Sequence, residues 1–270
     1  MITGGMPDPA GRGIIRLIRL AVLTLLSILA CPALAPRLSA AKAAAPPEDT
    51  TPRGLLLVVG GVGGLELMAN AAQWALPRAG IHHEVHDFIW THGKGKILSD
   101  LQDARHCLKK ADELAAQILL FKAEDLDRPI YILAKSGGTG LVLAAAEQLP
   151  PNTIERIVLL SAAVSPTYDL RPALRATEHG IVSFYSPLDR FILGWGTSRF
   201  GTIDRVYGPS AGLNGFIIPT DLSAQDRALY DRLIQVRWNP RMILEGHTGG
   251  HLGTGMPIFL EKEVAPWLKP

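Results

Sequence analysis

An α/β domain built on a mostly parallel sheet, with helices on both faces in three layers, is the fold the sequence predicts. Three observations carry it. Short, continuous apolar runs (Leu55–Val59, Ile130–Leu133, Ile157–Leu160, Ile181–Tyr185) lack the polar alternation of a half-exposed sheet, so they read as strands buried on both sides. Helical spacing fills the stretches between them, which is the order a parallel sheet with crossover helices requires. With 270 residues, the chain is long enough for one such domain.

Taken in order, the elements are as follows. Leu55–Val59 is the first strand and ends in Gly60-Gly61-Val62-Gly63-Gly64. From Leu65 to Arg78, Leu65, Met68, Ala72 and Leu76 fall on one helical face. Val85–Ile89 reads as a second strand, and a long helix is expected from Leu98 to about Phe121. Ile130–Leu133 is the third strand, with a helix from Leu141 to Leu149. Ile157–Leu160 and Ile181–Tyr185 follow as strands. Residues 190–222 have no clear period and are expected to form a long loop near a site, with Phe191, Trp195, Phe200 and Tyr207 lining it or joining the core. A helix over Ala224–Val236, a short strand Met242–Leu244 and a closing helix Phe259–Leu268 complete a six-stranded domain over 53–270.

Residues 1–43 carry Arg12, Arg16, Arg19, Arg37 and Lys42 against Asp8 alone. The remaining chain holds 22 basic and 24 acidic side chains, a weakly acidic balance without the basic footprint of nucleic-acid binding. Basic residues, the apolar run Leu20–Ala35 and the small residues Ser39–Ala45 follow one another as in an export signal. The expectation over 1–43 is therefore a removed signal, with a membrane anchor as alternative, and a periplasmic or extracellular mature protein. As an anchor, the segment would associate the chain with a membrane. Cleavage after Ala43 suits the small-residue preference. Cys31 lies within the signal pattern, where Leu29 is a poor match to a lipobox. Pro46-Pro47-Glu48-Asp49 and its neighbours make 44–52 a linker. Cys107 is then left without a partner for a disulfide and reads as a small buried apolar group.

The chemistry concentrates at Ile130-Tyr-Ile-Leu-Ala-Lys-Ser-Gly-Gly-Thr-Gly-Leu-Val-Leu143. A buried strand breaks at Ser136 and a helix begins at once. A serine on so sharp a turn needs small neighbours two residues to either side, and Ala134 and Gly138 supply them. That is the strand–turn–helix setting of the nucleophile elbow, with alanine in its first position. The elbow lifts Oγ clear of the sheet, and the Gly137 N–H points to where an attacked carbonyl develops negative charge.

In these residues the chain resembles the α/β-hydrolase family, over the span from about Arg53 to the end. The resemblance implies a serine, acid and histidine in that order, each at the carboxyl end of a strand. Asp189, in Tyr-Ser-Pro-Leu-Asp after Ile181–Tyr185, matches the acid, with Asp169 and Asp204 as competitors. Gly250-His251-Leu252 resembles the histidine ending. His251 is preferred over His247 as base because Gly249-Gly250 leaves a mobile turn before it. The loop after the first strand would give the second oxyanion donor, the Val62 N–H. The departure from the family pattern is Lys135, directly before the serine, which reads as solvent-facing or ion-paired.

The expected activity is cleavage of a small-molecule or lipid carboxylic ester through an acyl-enzyme on Ser136, with no cofactor. A non-catalytic, hydrolase-like binding protein is the alternative. A nucleotide-binding oxidoreductase is a third reading, suggested by Gly60–Gly64 and Asp87, although the spacing fails G-x-G-x-x-G. Paired metal ligation by His247 and His251 is disfavoured by the glycines between them.

Overall fold

Leu55, Leu57 and Val59 pack on one side of the sheet and Leu56 and Val58 on the other, each side against its own cluster of helices. The computed structural model describes residues 54–64 and 67–269. The signal or anchor expected over 1–43, with Cys31, and the linker at 44–52 lie outside the described residues, as does Leu65.

Six strands are described: β1 (Leu55–Val59), β2 (Glu84–Asp87), β3 (Ile130–Lys135), β4 (Arg156–Leu160), β5 (Ile181–Tyr185) and β6 (Leu233–Arg237). All pairings are parallel, in the order β2-β1-β3-β4-β5-β6. On one face lie α1 (Leu67–Arg78) and the helical run from Pro257 to Leu268. On the other are α2 (Ile97–Gln102), α3 (Ala104–Glu124), α4 (Gly137–Ala146), α5 (Arg171–Ala176) and α6 (Ala224–Tyr230), with α3, α4, α5 and α6 contributing to the core. The period-2 alternation of strands whose two faces are both apolar produces this three-layer stack.

Strand order fixes where a site can form. From β1 the chain steps outward to β2, then returns to β3 on the other side of β1 and continues to β6. The loops after β1 and β3 therefore lie side by side, at the switch point where open α/β sheets leave a crevice. The pairing of Val59 with Ala134 brings Gly60–Gly64 alongside Lys135 and Ser136.

Four features depart from the sequence expectation. The long helix is two helices, because the Asp103 side chain accepts a hydrogen bond from the His106 N–H and caps a new start at Ala104. The helix expected over Ala224–Val236 ends at Tyr230, and Leu233–Arg237 is instead the sixth strand, pairing with β5. Met242–Leu244 is not a strand but part of a 3-10 turn, Pro240–Glu245, opened by the Asn239 side chain. Within 190–222 the chain forms short helical turns, Phe191–Gly196, Thr197–Phe200 and Ala211–Asn214, rather than one irregular loop. Phe191 and Tyr207 are exposed there, whereas Leu193 is fully buried. Cys107 is buried, and desolvation pushes its thiol up to about 11 against the opposing charge of Arg205. Among the described residues, no helix is long and apolar enough to cross a membrane.

Candidate active site

Ser136 closes β3 and opens α4 with φ 52° and ψ −125°, a conformation that L-residues adopt only under constraint. The constraint is local. The Ser136 N–H donates to Leu160 O at 3.0 Å, and Ser136 O accepts from the Thr139 N–H at 3.0 Å. Crowding explains the glycines around it. A Cβ on Gly138 would lie 2.4 Å from Gly60 O, and one on Gly137 would lie 2.9 Å from Val62 Cγ1. A Cβ on Gly61 would come within 3.1 Å of Ser136 Cβ. The glycine-rich loop thus runs directly against the serine.

Ser136 Oγ lies 2.9 Å from His251 Nε2, and His251 Nδ1 lies 2.7 Å from Asp189 Oδ2. A carboxylate only accepts, so Nδ1 carries the ring proton and Nε2 accepts from the serine hydroxyl. Asp189 is 3 % exposed and held by its own turn, its N–H donating to Ser186 O at 3.1 Å. Its C=O accepts from the Leu193 N–H at 3.1 Å. The His251 C=O accepts from Thr254 Oγ1 at 3.3 Å, and Thr254 meets the buried Ser161 hydroxyl at 3.3 Å. The Val62 and Gly137 N–H groups have no hydrogen-bond partner among the described residues.

The competing residues are engaged elsewhere. His247 is 2 % exposed, and its Nδ1 accepts from the Gly249 N–H at 3.3 Å. Its ring packs edge-on against Phe259 at 4.8 Å and Trp238 at 6.4 Å between centroids. Desolvation, and then the charge of Lys135, push it down to about 4. It holds the loop as a neutral ring, and with His251 occupied at both nitrogens the two share no ligand position. Asp169 pairs with Arg171 at 2.8 Å, and Asp204 accepts from the Ser165 N–H at 2.9 Å.

Lys135 departs from its expected setting. It continues the Tyr131 and Leu133 side of β3 and is partly buried, without an ion pair among the described residues. Its Nζ occupies space that a side chain at 255 would take, 3.0 Å from a Cβ built on Gly255. Desolvation lowers it to about 8, and the charge of Asp189 opposes that shift.

Two neighbours of the site carried no sequence signal. Trp90 is 1 % exposed, and its ring lies against Gly137 while its Nε1–H donates to Gly60 O at 2.8 Å. Asp100, 2 % exposed, accepts from the Gly63 N–H at 2.7 Å. An anionic partner already on that amide opposes phosphate at Gly60–Gly64 and weighs against the nucleotide reading. Asp100 stands 37 residues from Gly63 in the chain, so no local pattern marks the pair.

No protein-family model matches the chain, and no curated protein matches it. Among solved structures, a cutinase-like protein from Cryptococcus sp. is 15 % identical over 79 % of this chain and 95 % of its own, at a TM-score of 0.38. The poly(3-hydroxybutyrate) depolymerase LpqC from Bordetella parapertussis is 13 % identical over 78 % and 82 %, at 0.40. A Trichoderma reesei cutinase is 12 % identical over 81 % and 76 %, at 0.35. The assignment of fold rests on the chain's own sheet. Six parallel strands in the order β2-β1-β3-β4-β5-β6, with a strained serine between β3 and its helix, give the chain an α/β-hydrolase fold.

Proposed function

We propose that the chain is a serine hydrolase that cleaves a carboxylic ester through an acyl-enzyme on Ser136. The observation that carries the reading is the unbroken chain Ser136 Oγ–His251–Asp189, with separations of 2.9 and 2.7 Å. A serine hydroxyl is a weak nucleophile at neutral pH until a base lies within hydrogen-bond reach. As Ser136 Oγ bonds to the ester carbon, its proton passes to His251 Nε2. Asp189 keeps the ring in the tautomer that can accept it and stabilises the imidazolium. The Val62 and Gly137 N–H groups receive the oxyanion. Its collapse expels the alcohol, which takes the proton from His251. Water then repeats the sequence on the acyl-enzyme and frees Ser136.

The apolar side chains beside the site, with Leu188 and Leu252 exposed next to Asp189 and His251, favour a small-molecule or lipid ester. The basic, apolar and small-residue order of the first 45 residues supports export of the enzyme.

Short-chain p-nitrophenyl esters test the reading. Wild-type protein is expected to hydrolyse at least one of them and to react with a fluorophosphonate, and Ser136→Ala to do neither. Folded protein that leaves every ester intact, while a ligand still raises its melting temperature, would favour the non-catalytic alternative.

A further inference from the structure

A loop with four glycines in five residues is a poor material for an oxyanion hole. Glycine backbone explores more conformations than any other, whereas transition-state stabilisation depends on donors already aimed before reaction. Gly60–Gly64 is nevertheless pinned at three points around Val62. The Trp90 indole N–H holds Gly60 O at 2.8 Å, the Gly95 N–H holds Gly63 O at 2.9 Å, and the Gly63 N–H is held by Asp100 Oδ2 at 2.7 Å.

Of these, the Asp100 contact is the strongest constraint. Its carboxylate is 2 % exposed, and both oxygens are used. Oδ2 takes the Gly63 N–H, while Oδ1 takes the His92 N–H at 2.8 Å and His92 Nδ1 at 2.9 Å. The His92 ring is fixed in turn, with Nε2 3.4 Å from Asp103 Oδ2 and the His106 ring 4.0 Å away. His106 Nε2 donates to Trp90 O at 2.6 Å and joins this network to the indole that holds Gly60. A flip of the Val62–Gly63 peptide would strip a buried carboxylate oxygen of its donor, which the low-dielectric interior strongly disfavours.

Resting on the ester-hydrolase reading, we propose that Asp100 is a positioning residue for the oxyanion hole: it fixes the Gly63 peptide and thereby the aim of the Val62 N–H beside Ser136. Asp100 touches no substrate and acts through the loop. A purely structural carboxylate would alter stability alone. A positioning role instead alters the transition state selectively.

The test compares wild type, Asp100→Asn and Trp90→Phe. Asparagine has one acceptor oxygen where two are needed, so it must release either Gly63 or His92. Trp90→Phe frees Gly60 and leaves Asp100 intact. Both are expected to lower kcat about 10–100-fold with KM within twofold, less than the ~10²–10³-fold seen when an oxyanion donor is removed outright, because the donor is misaimed and not lost. The pH at which activity falls on the acid side is expected to stay, because the serine–histidine–aspartate chain is untouched. Affinity for a trifluoromethyl ketone, which adds reversibly to Ser136 Oγ and forms the same oxyanion, is expected to fall in step with kcat/KM. Asp103→Asn, which weakens the contact to the His92 ring and can still cap the His106 N–H, serves as a control and is expected to keep kcat within threefold. The inference is overturned if Asp100→Asn keeps kcat within threefold of active wild type, or if its kcat falls while ketone affinity holds. Should Asp100→Asn fail to fold, Asp100→Glu, which keeps the charge but displaces the oxygen that holds the Gly63 N–H, decides by the same criteria. Wild type inactive on every ester would overturn the ester-hydrolase reading itself and this inference with it.

Discussion

The Cβ that Gly138 lacks would lie 2.4 Å from the carbonyl oxygen of Gly60 and 2.7 Å from that of Val59. Both obstacles are backbone, one in β1 and one in the loop after it, so no rotamer change relieves them. Gly138→Ala must push α4 away from β1. It is expected to destabilise by at least ~2 kcal/mol, read as a lower denaturant midpoint at unchanged slope. A midpoint equal to that of wild type would contradict the packing described.

Strain at the elbow has the opposite sign. Ser136 is held at φ 52° and ψ −125°, where glycine is at ease. Ser136→Gly is expected to gain about 1 kcal/mol in stability while losing all ester hydrolysis. Denaturation of the two proteins side by side checks it, and a less stable variant would mean that the turn is unstrained.

His247 sets a pH dependence of folding. Its folded value of about 4 lies below that of a free histidine, so between about pH 4 and 6.5 the unfolded chain binds the extra proton. Stability is therefore full above that window and falls as pH drops through it, by on the order of 3 kcal/mol. His247→Gln keeps an acceptor for the Gly249 N–H without titrating, and its melting temperature is expected to fall less between pH 7 and 4. Its ester activity is expected to stay within tenfold of wild type, whereas His251→Ala loses at least ~10³-fold.

Lys135 makes a separate contribution. With a folded value near 8, its partly buried ammonium costs stability below that pH, and the cost disappears as pH rises toward 10. Lys135→Met is expected to melt above wild type at pH 7 and level with it near pH 10. Losing a cation near Asp189 also favours the imidazolium beside that carboxylate, so the acid limb of kcat/KM is expected to move to higher pH. An unmoved limb would show that Lys135 does not reach Asp189 electrostatically.

Much of this was legible in the sequence where the pattern is local. The strands β1, β3, β4 and β5 are short apolar runs buried on both faces, and their limits emerge within two residues of expectation. β6 is different. It lies at the sheet edge with most of its side chains half-buried, and Leu233 to Val236 extend the helical spacing of α6 almost without a break. Only pairing with β5 makes it a strand. Met242–Leu244 looks like a strand by composition, but Pro240 and the Asn239 cap turn it into a tight helix. At the site, Ser136 announces itself through the turn, Asp189 through its place after β5, and His251 through the Gly250-His251-Leu252 ending, although the strand expected before it is a 3-10 turn. Asp100 and Trp90 act across the fold on the glycine loop, and the setting of Lys135 depends on the loop around Gly255. Contacts of that kind leave no trace in spacing.

The most direct test is peptide mapping by mass spectrometry after a brief exposure to a fluorophosphonate. One adduct is expected, on the peptide that contains Ser136, forming at least ~10³-fold more slowly in His251→Ala. Protein that stays unmodified at saturating reagent, or that carries the adduct on Ser161 or any other residue, would contradict the account.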